Sequence, residues 1–507
     1  MAFLKILFIL VYFGILTILS IYGCHRYYLV YLYYRFKKNI PRPPQKFEKL
    51  PKVTVQLPIY NEMYVIERLL NSVKQINYPK DLFEIQVLDD STDGTKKIAE
   101  VLTEQLCLQG FNIHYLHRSN RHHFKAGALD AGLKLTSSEF IYVFDADFIP
   151  EPNIILDTIH YFTDPKIGMV QTRWGHINRD YSLLTELQSI FLDGHFVIEH
   201  TARNRSGRFF NFNGTAGVWR KQAIISGGGW EADTLTEDLD LSYRAQLKDW
   251  KFVYLPDSVT PAELPVEMNA FKAQQHRWVK GSIQTARKLL AKIWESHIPL
   301  STKIEATFHL TNNFSYLLMM VLFVLLLPAM FVRFEQGWHQ IVFIDFPLFF
   351  ASFFSVSAFY ICSQKEIYKN WIERLKYIPL ISSIGIGLSI NNAKAVWEAL
   401  RHQETPFLRT PKYGVHAAAD SWKTVKYKGK KTKLIWLELT MAIYFGILAI
   451  FSLLTGRYIM TPFMGMFFFG FIYTWTLSTF QGKKRKPVKI LVSRSVKASQ
   501  FPLKNQT

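Results

Sequence analysis

The sequence predicts a mostly parallel α/β domain joined to a bundle of membrane-spanning helices. Three observations predict it: an apolar run near the N-terminus, a rhythm of short β-rich runs between Pro41 and about Pro299, and a return of apolar runs after Pro299.

Residues 6–23, "ILFILVYFGILTILSIYG", are about long enough to cross a bilayer as one helix. No A-x-A-like cleavage site follows. Instead comes "CHRYYLVYLYYRFKK", aromatic and then basic, as at a cytoplasmic membrane interface. A retained span is expected, with its interface complete by residue 40.

Residues 41–299 form the α/β unit. "VTVQL" (53–57), "EIQVL" (84–88), "NIHYL" (112–116) and "FIYVF" (140–144) read as buried strands alternating with segments of helical spacing. Ligands of such sheets bind beyond the carboxyl ends of the strands. The residues after "EIQVL" and "FIYVF" are therefore the first candidates.

Beyond Pro299, apolar runs fall at about 311–333, 341–362, 377–397, 435–454 and 458–480. The third carries Asn391, Asn392 and Lys394, and making it a span would place "KYKGKKTK" and "GKKRKPVK" on the side opposite the α/β domain. The positive-inside bias opposes that. Five spans are expected, with two in 300–370 and two in 435–482. Residues 371–434 would hold an interfacial or re-entrant helix and a loop, and 483–507 a basic cytoplasmic tail. The N-terminus would lie outside.

The formal charge of +20, from 60 Lys and Arg against 40 Asp and Glu, then marks a cytoplasmic membrane surface and not nucleic acid. Cys24, Cys107 and Cys362 are too far apart for a cysteine-built metal site.

Four motifs carry chemistry. "VLDDSTDGT" (87–95) puts Asp89 and Asp90 between a strand and a helix. Carboxylates there accept from ribose hydroxyls or a base N–H, and alone they serve equally as helix caps. "FIYVFDADFIP" (140–150) ends a strand on Asp145 and Asp147, an arrangement that suits a hard divalent cation. "TLTEDLDL" (234–241) opens a helix on Thr236, Glu237 and Asp238, where an acid can be a general base or only complement the helix dipole. "QQHRWVKGS" (274–282) sets Gln274, Arg277 and Trp278 within one helical turn, with Arg able to fork onto phosphate oxygens. Its other reading is a membrane-proximal helix with snorkelling basic residues, which suits Lys280 and "ARKLLAK"; His276 reads as structural.

In this order and spacing the motifs resemble the processive family 2 glycosyltransferases, whose pattern is D, D-x-D, [T/V]-E-D, Q-x-x-R-W. The match covers about residues 50–290. "FKAGAL" (124–129), "FNFNGTAGVWR" (210–220), "WKFVYLPD" (250–257) and "ELPVEMNAFKAQQHRWVKGS" (263–282) look most like the cellulose synthase-like mannan and glucan synthases. The resemblance implies a Rossmann-like GT-A fold, a nucleotide-diphosphate sugar donor (UDP-glucose or GDP-mannose) and inversion to a β-linkage, with β-1,4 expected.

It implies Mg2+ or Mn2+ on Asp145 and Asp147, Asp238 as base, Glu237 and Gln274 in the substrate site, Arg277 on the diphosphate and Trp278 along the acceptor. Asp89 or Asp90 would meet the base, and Lys125 the nucleotide. "FLRTPK" resembles the gating loop F-x-V-T-x-K, with Arg409 in place of Val, and implies substrate roles for Phe407, Thr410 and Lys412. Implied partners are the donor, a glycan or lipid acceptor and the bilayer, with room for an export subunit. The setting is a multi-pass protein of the plasma (inner) membrane with a cytoplasmic catalytic domain. A synthase adding one sugar to a ceramide or diacylglycerol shares these motifs. A degenerate binding protein would have lost motif acids, and none is lost.

Overall fold

The computed structural model describes residues 2–335, 337, 342–403, 409–415, 420, 422, 427–456 and 458–481. The expected tail at 483–507 and the candidate Phe407 lie outside them.

Seven strands form the sheet: β1 Val53–Ile59, β2 Phe83–Asp89, β3 Asn112–His117, β4 Phe140–Val143, β5 Ile167–His176, β6 Gly217–Arg220 and β7 Lys251–Ala262. Their order is β3-β2-β1-β4-β6-β5-β7. The first four pair in parallel, β6 runs antiparallel to both neighbours, and β7 lies parallel to β5. The sheet is thus GT-A-like, mostly parallel and mixed at β6.

The parallel half is buried on both faces: β4 is apolar throughout, while β1 and β2 turn Val53, Val55, Leu57, Phe83, Ile85 and Val87 to one core and pair Thr54 with Glu84 and Gln56 with Gln86 on the other face. Val53, Val55 and Leu57 face one core with Phe140 and Tyr142, while Ile141 and Val143 face the other with Leu129 and Trp219. From β1 the chain crosses to β2 on one side and later returns to β4 on the other. That reversal opens a crevice beyond the carboxyl ends of β1, β2 and β4.

The helices used below are α1 Ala2–Phe36, α2 Phe124–Leu135, α3 Leu183–Asp193, α4 Thr201–Arg205, α5 Glu237–Gln246, α6 Met268–Glu295, α7 Leu300–Thr311, α8 Phe314–Glu335, α9 Val342–Ile367, α10 Ile378–Gly387, α11 Ser389–Leu400, α12 Ile435–Leu454 and α13 Thr461–Phe480. Among the described residues three helices are long and apolar enough to cross a membrane: Lys5–Phe36 within α1, α12 and α13. The pair α7 and Phe314–Ala329, bent by 58°, makes a fourth if it is one span. The run expected as a span at 341–362 forms α9, which packs along α1, with the Ser20 hydroxyl donating to Leu348 O at 2.8 Å. Residues 377–397 divide into α10 and α11, of 10 and 12 residues. At 1.5 Å per residue each is shorter than the roughly 30 Å hydrocarbon core.

α10 and α13 touch backbone to backbone. A Cβ on Gly470 would lie 2.1 Å from Ser383 O, and one on Gly387 would lie 2.3 Å from Gly470 O. Gly470→Leu is therefore expected to force the two helices apart, at about 3 kcal/mol or more. A fall in the melting temperature of the detergent-solubilised protein would register it; an unchanged transition would mean that the contact is not formed.

The snorkelling expected of Lys280 is not what the structure shows. Lys280 is 1% exposed, donating to Gln403 O at 2.6 Å and lying 3.4 Å from Glu398 Oε2, which also holds His276 Nε2 at 3.0 Å. A buried ammonium is stable only when paired, and the acid on α11 supplies the pair. One turn in from the N-terminal end of α6, Lys272 is likewise buried against Glu438 of α12. The helix bearing Gln274, Arg277 and Trp278 is thus fastened to α11 and α12 by ion pairs.

Candidate active site

All four motifs converge on one cavity in the crevice. Its walls include Asp90, Lys125, Asp145, Asp147, Glu237, Asp238, Gln274, Arg277 and Trp278, together with Thr410 and Lys412 from the loop after α11.

Each acid of the D-x-D pair holds an ammonium group. Lys125 Nζ on α2 donates to Asp145 Oδ1 at 2.5 Å and to Gly214 O at 2.8 Å. Lys412 Nζ donates to Asp147 Oδ2 at 2.6 Å and to Glu263 O at 3.0 Å. Two hard carboxylates at a strand end are the donor type that a divalent ion takes, and here the two lysine ammonium groups hold the same oxygens.

Asp238 opens the first turn of α5, its Oδ1 accepting from Leu239 N at 2.8 Å. Burial pushes its pKa up to about 7, with the neighbouring Glu237 charge adding to the shift and Lys125 opposing it. Glu237 is raised for the same first reason, burial, with Lys125 lowering it. Arg277 loses basicity through burial, while Glu237, Asp145, Asp238 and Asp147 act to restore it. Gly214 has φ +81°, and a Cβ there would lie 2.9 Å from Asp238 Oδ2. The glycine both makes the turn and keeps space open beside that carboxylate.

The two aspartates at the end of β2 part company. Asp89 is fully buried away from the cavity: its Oδ1 accepts from Ser91 N at 2.9 Å and its Oδ2 from Tyr115 OH at 2.7 Å. Asp90 reaches the cavity and is gripped by Arg118 at 2.7 and 2.6 Å. The sequence left the doublet open; satisfaction of Asp89 by its own turn and the next strand separates the pair.

Several wall residues escaped the sequence reading. Tyr60 and Glu62 follow β1, whose carboxyl end borders the same crevice, so the logic applied to β2 and β4 would have found them. The Arg121 guanidinium stacks 3.3 Å from the Tyr60 ring centroid. Burial pushes Glu62 up to about 7 against the pull of Arg409, which pairs with it, so the residue departing from the loop pattern is tied to the β1 end. Trp174 at the end of β5 lies 6.5 Å from Trp278, centroid to centroid, which gives the cavity an aromatic wall.

Two family models match the chain: glycosyl transferase family 2 over residues 54–225 and glycosyl transferase family group 2 over residues 140–334. Among curated proteins, a glucomannan 4-beta-mannosyltransferase of Arabidopsis thaliana is 44% identical over 248 residues, 48% of this chain and 46% of that protein. A probable glucomannan 4-beta-mannosyltransferase of Oryza sativa subsp. japonica is 44% identical over 244 residues, covering 47% and 42%. One from Cyamopsis tetragonoloba is 40% identical over 265 residues, covering 51% and 50%. The chain thus spans about half the length of the curated relatives it matches. A mannosyltransferase from Pyrobaculum calidifontis, solved with GDP-Man and Mn2+, superposes with a TM-score of 0.51 over 77% of this chain and 100% of its own, at 18% identity. The likeness to that structure carries the fold. The motif order, the converging cavity and the two family matches agree on a glycosyl transferase family 2 unit, similar over about half of the chain to the glucomannan 4-beta-mannosyltransferases.

Proposed function

We propose that the protein transfers mannose from GDP-mannose to the end of a growing β-1,4-linked glycan, with inversion, and that its membrane helices carry the product across the plasma membrane from a cytoplasmic catalytic domain. The convergence of the four motifs on one cavity carries the reading. The curated relatives, named as glucomannan mannosyltransferases, favour mannose over glucose.

Asp238, with a pKa near neutrality, takes the proton of the attacking hydroxyl. Asp145 and Asp147 would hold Mg2+ or Mn2+, which supplies charge neutralisation for the departing diphosphate. Arg277 and Lys125 face the same oxygens as fixed cations, Glu237 and Gln274 line the reacting centre, and Asp90 with Arg118 meets the nucleoside. Trp278 and Trp174 offer flat faces to the acceptor sugars. Thr410 and Lys412 close the cavity from the loop side.

The test is purified protein in lipid with labelled GDP-mannose or UDP-glucose and Mn2+, followed by sizing of the product. A long β-linked polymer from GDP-mannose supports the proposal, whereas a lipid carrying one sugar overturns it. Lys412 and a cation compete for Asp147, so Lys412→Met is expected to tighten Mn2+ binding roughly tenfold in the absence of donor. Titration of the Mn2+ electron-spin-resonance signal measures this, and unchanged affinity would remove Lys412 from the ion's site.

A further inference from the structure

Between the cavity and the membrane helices lies a polar cluster outside the four motifs. Its base is a seven-residue π-helix, Gly194–His200, set between α3 and α4. Such π-turns occur frequently at functional sites. In an α-helix residues five apart point about 140° from each other. Here the wider turn brings His195 and His200 together, with ring centroids 4.3 Å apart, and both reach Asn213, a residue of the cavity wall.

One arrangement of hydrogens satisfies the whole cluster. Burial holds His200 well below the ordinary imidazole range, with His195 adding to the effect, so it is neutral. Its Nδ1 is buried with no hydrogen-bond partner, as fits a bare lone pair. Nε2 therefore carries the hydrogen and donates to Asn213 Oδ1 at 2.5 Å. The Asn213 amide is thereby oriented, and its Nδ2 donates to His195 Nε2 at 3.0 Å. His195, accepting there, bears its hydrogen on Nδ1 and donates to Glu199 Oε2 at 3.0 Å.

Arg203 Nη1 donates to that same oxygen at 3.1 Å, and Arg203 Nε to Glu305 Oε1 at 3.0 Å. Glu305 Oε2 lies 2.9 Å from His25 Nε2 on α1. The chain thus runs unbroken from a membrane-spanning helix to the cavity wall. Buried ions of this kind are often no more stabilising than apolar residues of equal volume, so stability alone does not account for them. Nδ2 of Asn213 carries two hydrogens, and His195 uses one.

We propose that His25, Glu305, Arg203, Glu199 and His195, with His200, hold the Asn213 amide in one orientation so that its second N–H donates to a hydroxyl oxygen of a glycan bound in the cavity. Asn213 touches the sugar; the other six are positioning residues. The inference rests on the glycosyltransferase reading for the class of ligand only.

The test uses the full-length protein in lipid nanodiscs. Binding of mannopentaose or cellopentaose is followed by tryptophan fluorescence, since Trp174 and Trp278 line the cavity, and KM is measured for the same oligosaccharide. Asn213→Ala is expected to raise Kd and acceptor KM about tenfold, with donor KM and kcat within about twofold of wild type. His195→Leu acts in the same direction. His195→Gln, whose amide oxygen can still accept the Asn213 N–H, recovers most of the loss. Equal Kd and KM in Asn213→Ala and wild type would overturn the proposal, as would indistinguishable Leu and Gln variants at position 195. A wild type that binds oligosaccharide but transfers nothing would sink the proposed function while the Kd comparison still decides this one.

Discussion

Asp238→Asn is expected to lower glycosyl transfer by about 10²–10⁴-fold, the range of a positioned general base, with donor binding within a few-fold of wild type. The amide keeps the shape and the Leu239 N–H contact but cannot take a proton. The same assignment sets a pH dependence. A base works deprotonated, and burial with the Glu237 charge pushes this pKa up to about 7. Wild-type kcat/KM should therefore fall about tenfold per unit as pH drops below 7. Glu237→Gln removes the second cause of the rise, so its acid limb should move to lower pH. A flat profile from pH 5 to 8, or normal turnover by Asp238→Asn, would refute the assignment.

Asp147→Ala is the second large effect. It removes one of the two carboxylates proposed to hold the divalent ion and leaves the Lys412 ammonium without its acid. Loss of an electrostatic clamp worth several kcal/mol corresponds to a drop of about 10³-fold in transfer. Chelation of divalent ions from wild type should give a loss of similar size that added Mn2+ reverses. Mn2+ must fail to rescue Asp147→Ala; rescue would place the ion elsewhere.

The parallel half of the fold was legible because Phe140–Val143 is an unbroken apolar run and because Val53, Val55, Leu57 and Phe83, Ile85, Val87 recur at every second residue of short β-rich segments. β5 was not, since it carries Gln171, Thr172 and Arg173. Gln171 is fully buried, yet its Nε2 is satisfied by Thr215 O and Ala216 O, partners 44 and 45 residues away. No local pattern announces such a residue as a strand. β6 has only four residues and lies inside "FNFNGTAGVWR", which the sequence offered only as a likeness to a family.

The acids at strand ends could be found because chain direction predicts where they point. The choice between Asp89 and Asp90 could not, because it depends on Tyr115 and Arg118 from the next strand and the loop beyond. The π-helix was equally hidden: periodicity arguments assume 3.6 residues per turn, and His195 and His200 fall on different faces at that pitch.

The ion pairs that fasten α6 bear on how portable the catalytic unit is. A polypeptide ending at residue 299 would keep every motif from Asp89 to Trp278, yet it would leave Lys272 and Lys280 in place without Glu438 and Glu398. It would also uncover the face of α6 formed by Val279 and Ile283, which packs on Ala395 and Val396 of α11. Two stranded ammonium groups and a bare apolar stripe would then flank Arg277 and Trp278. The cavity and the helices α11 and α12 are in this sense one folding problem, and the cavity is completed only when the bundle beside it has formed.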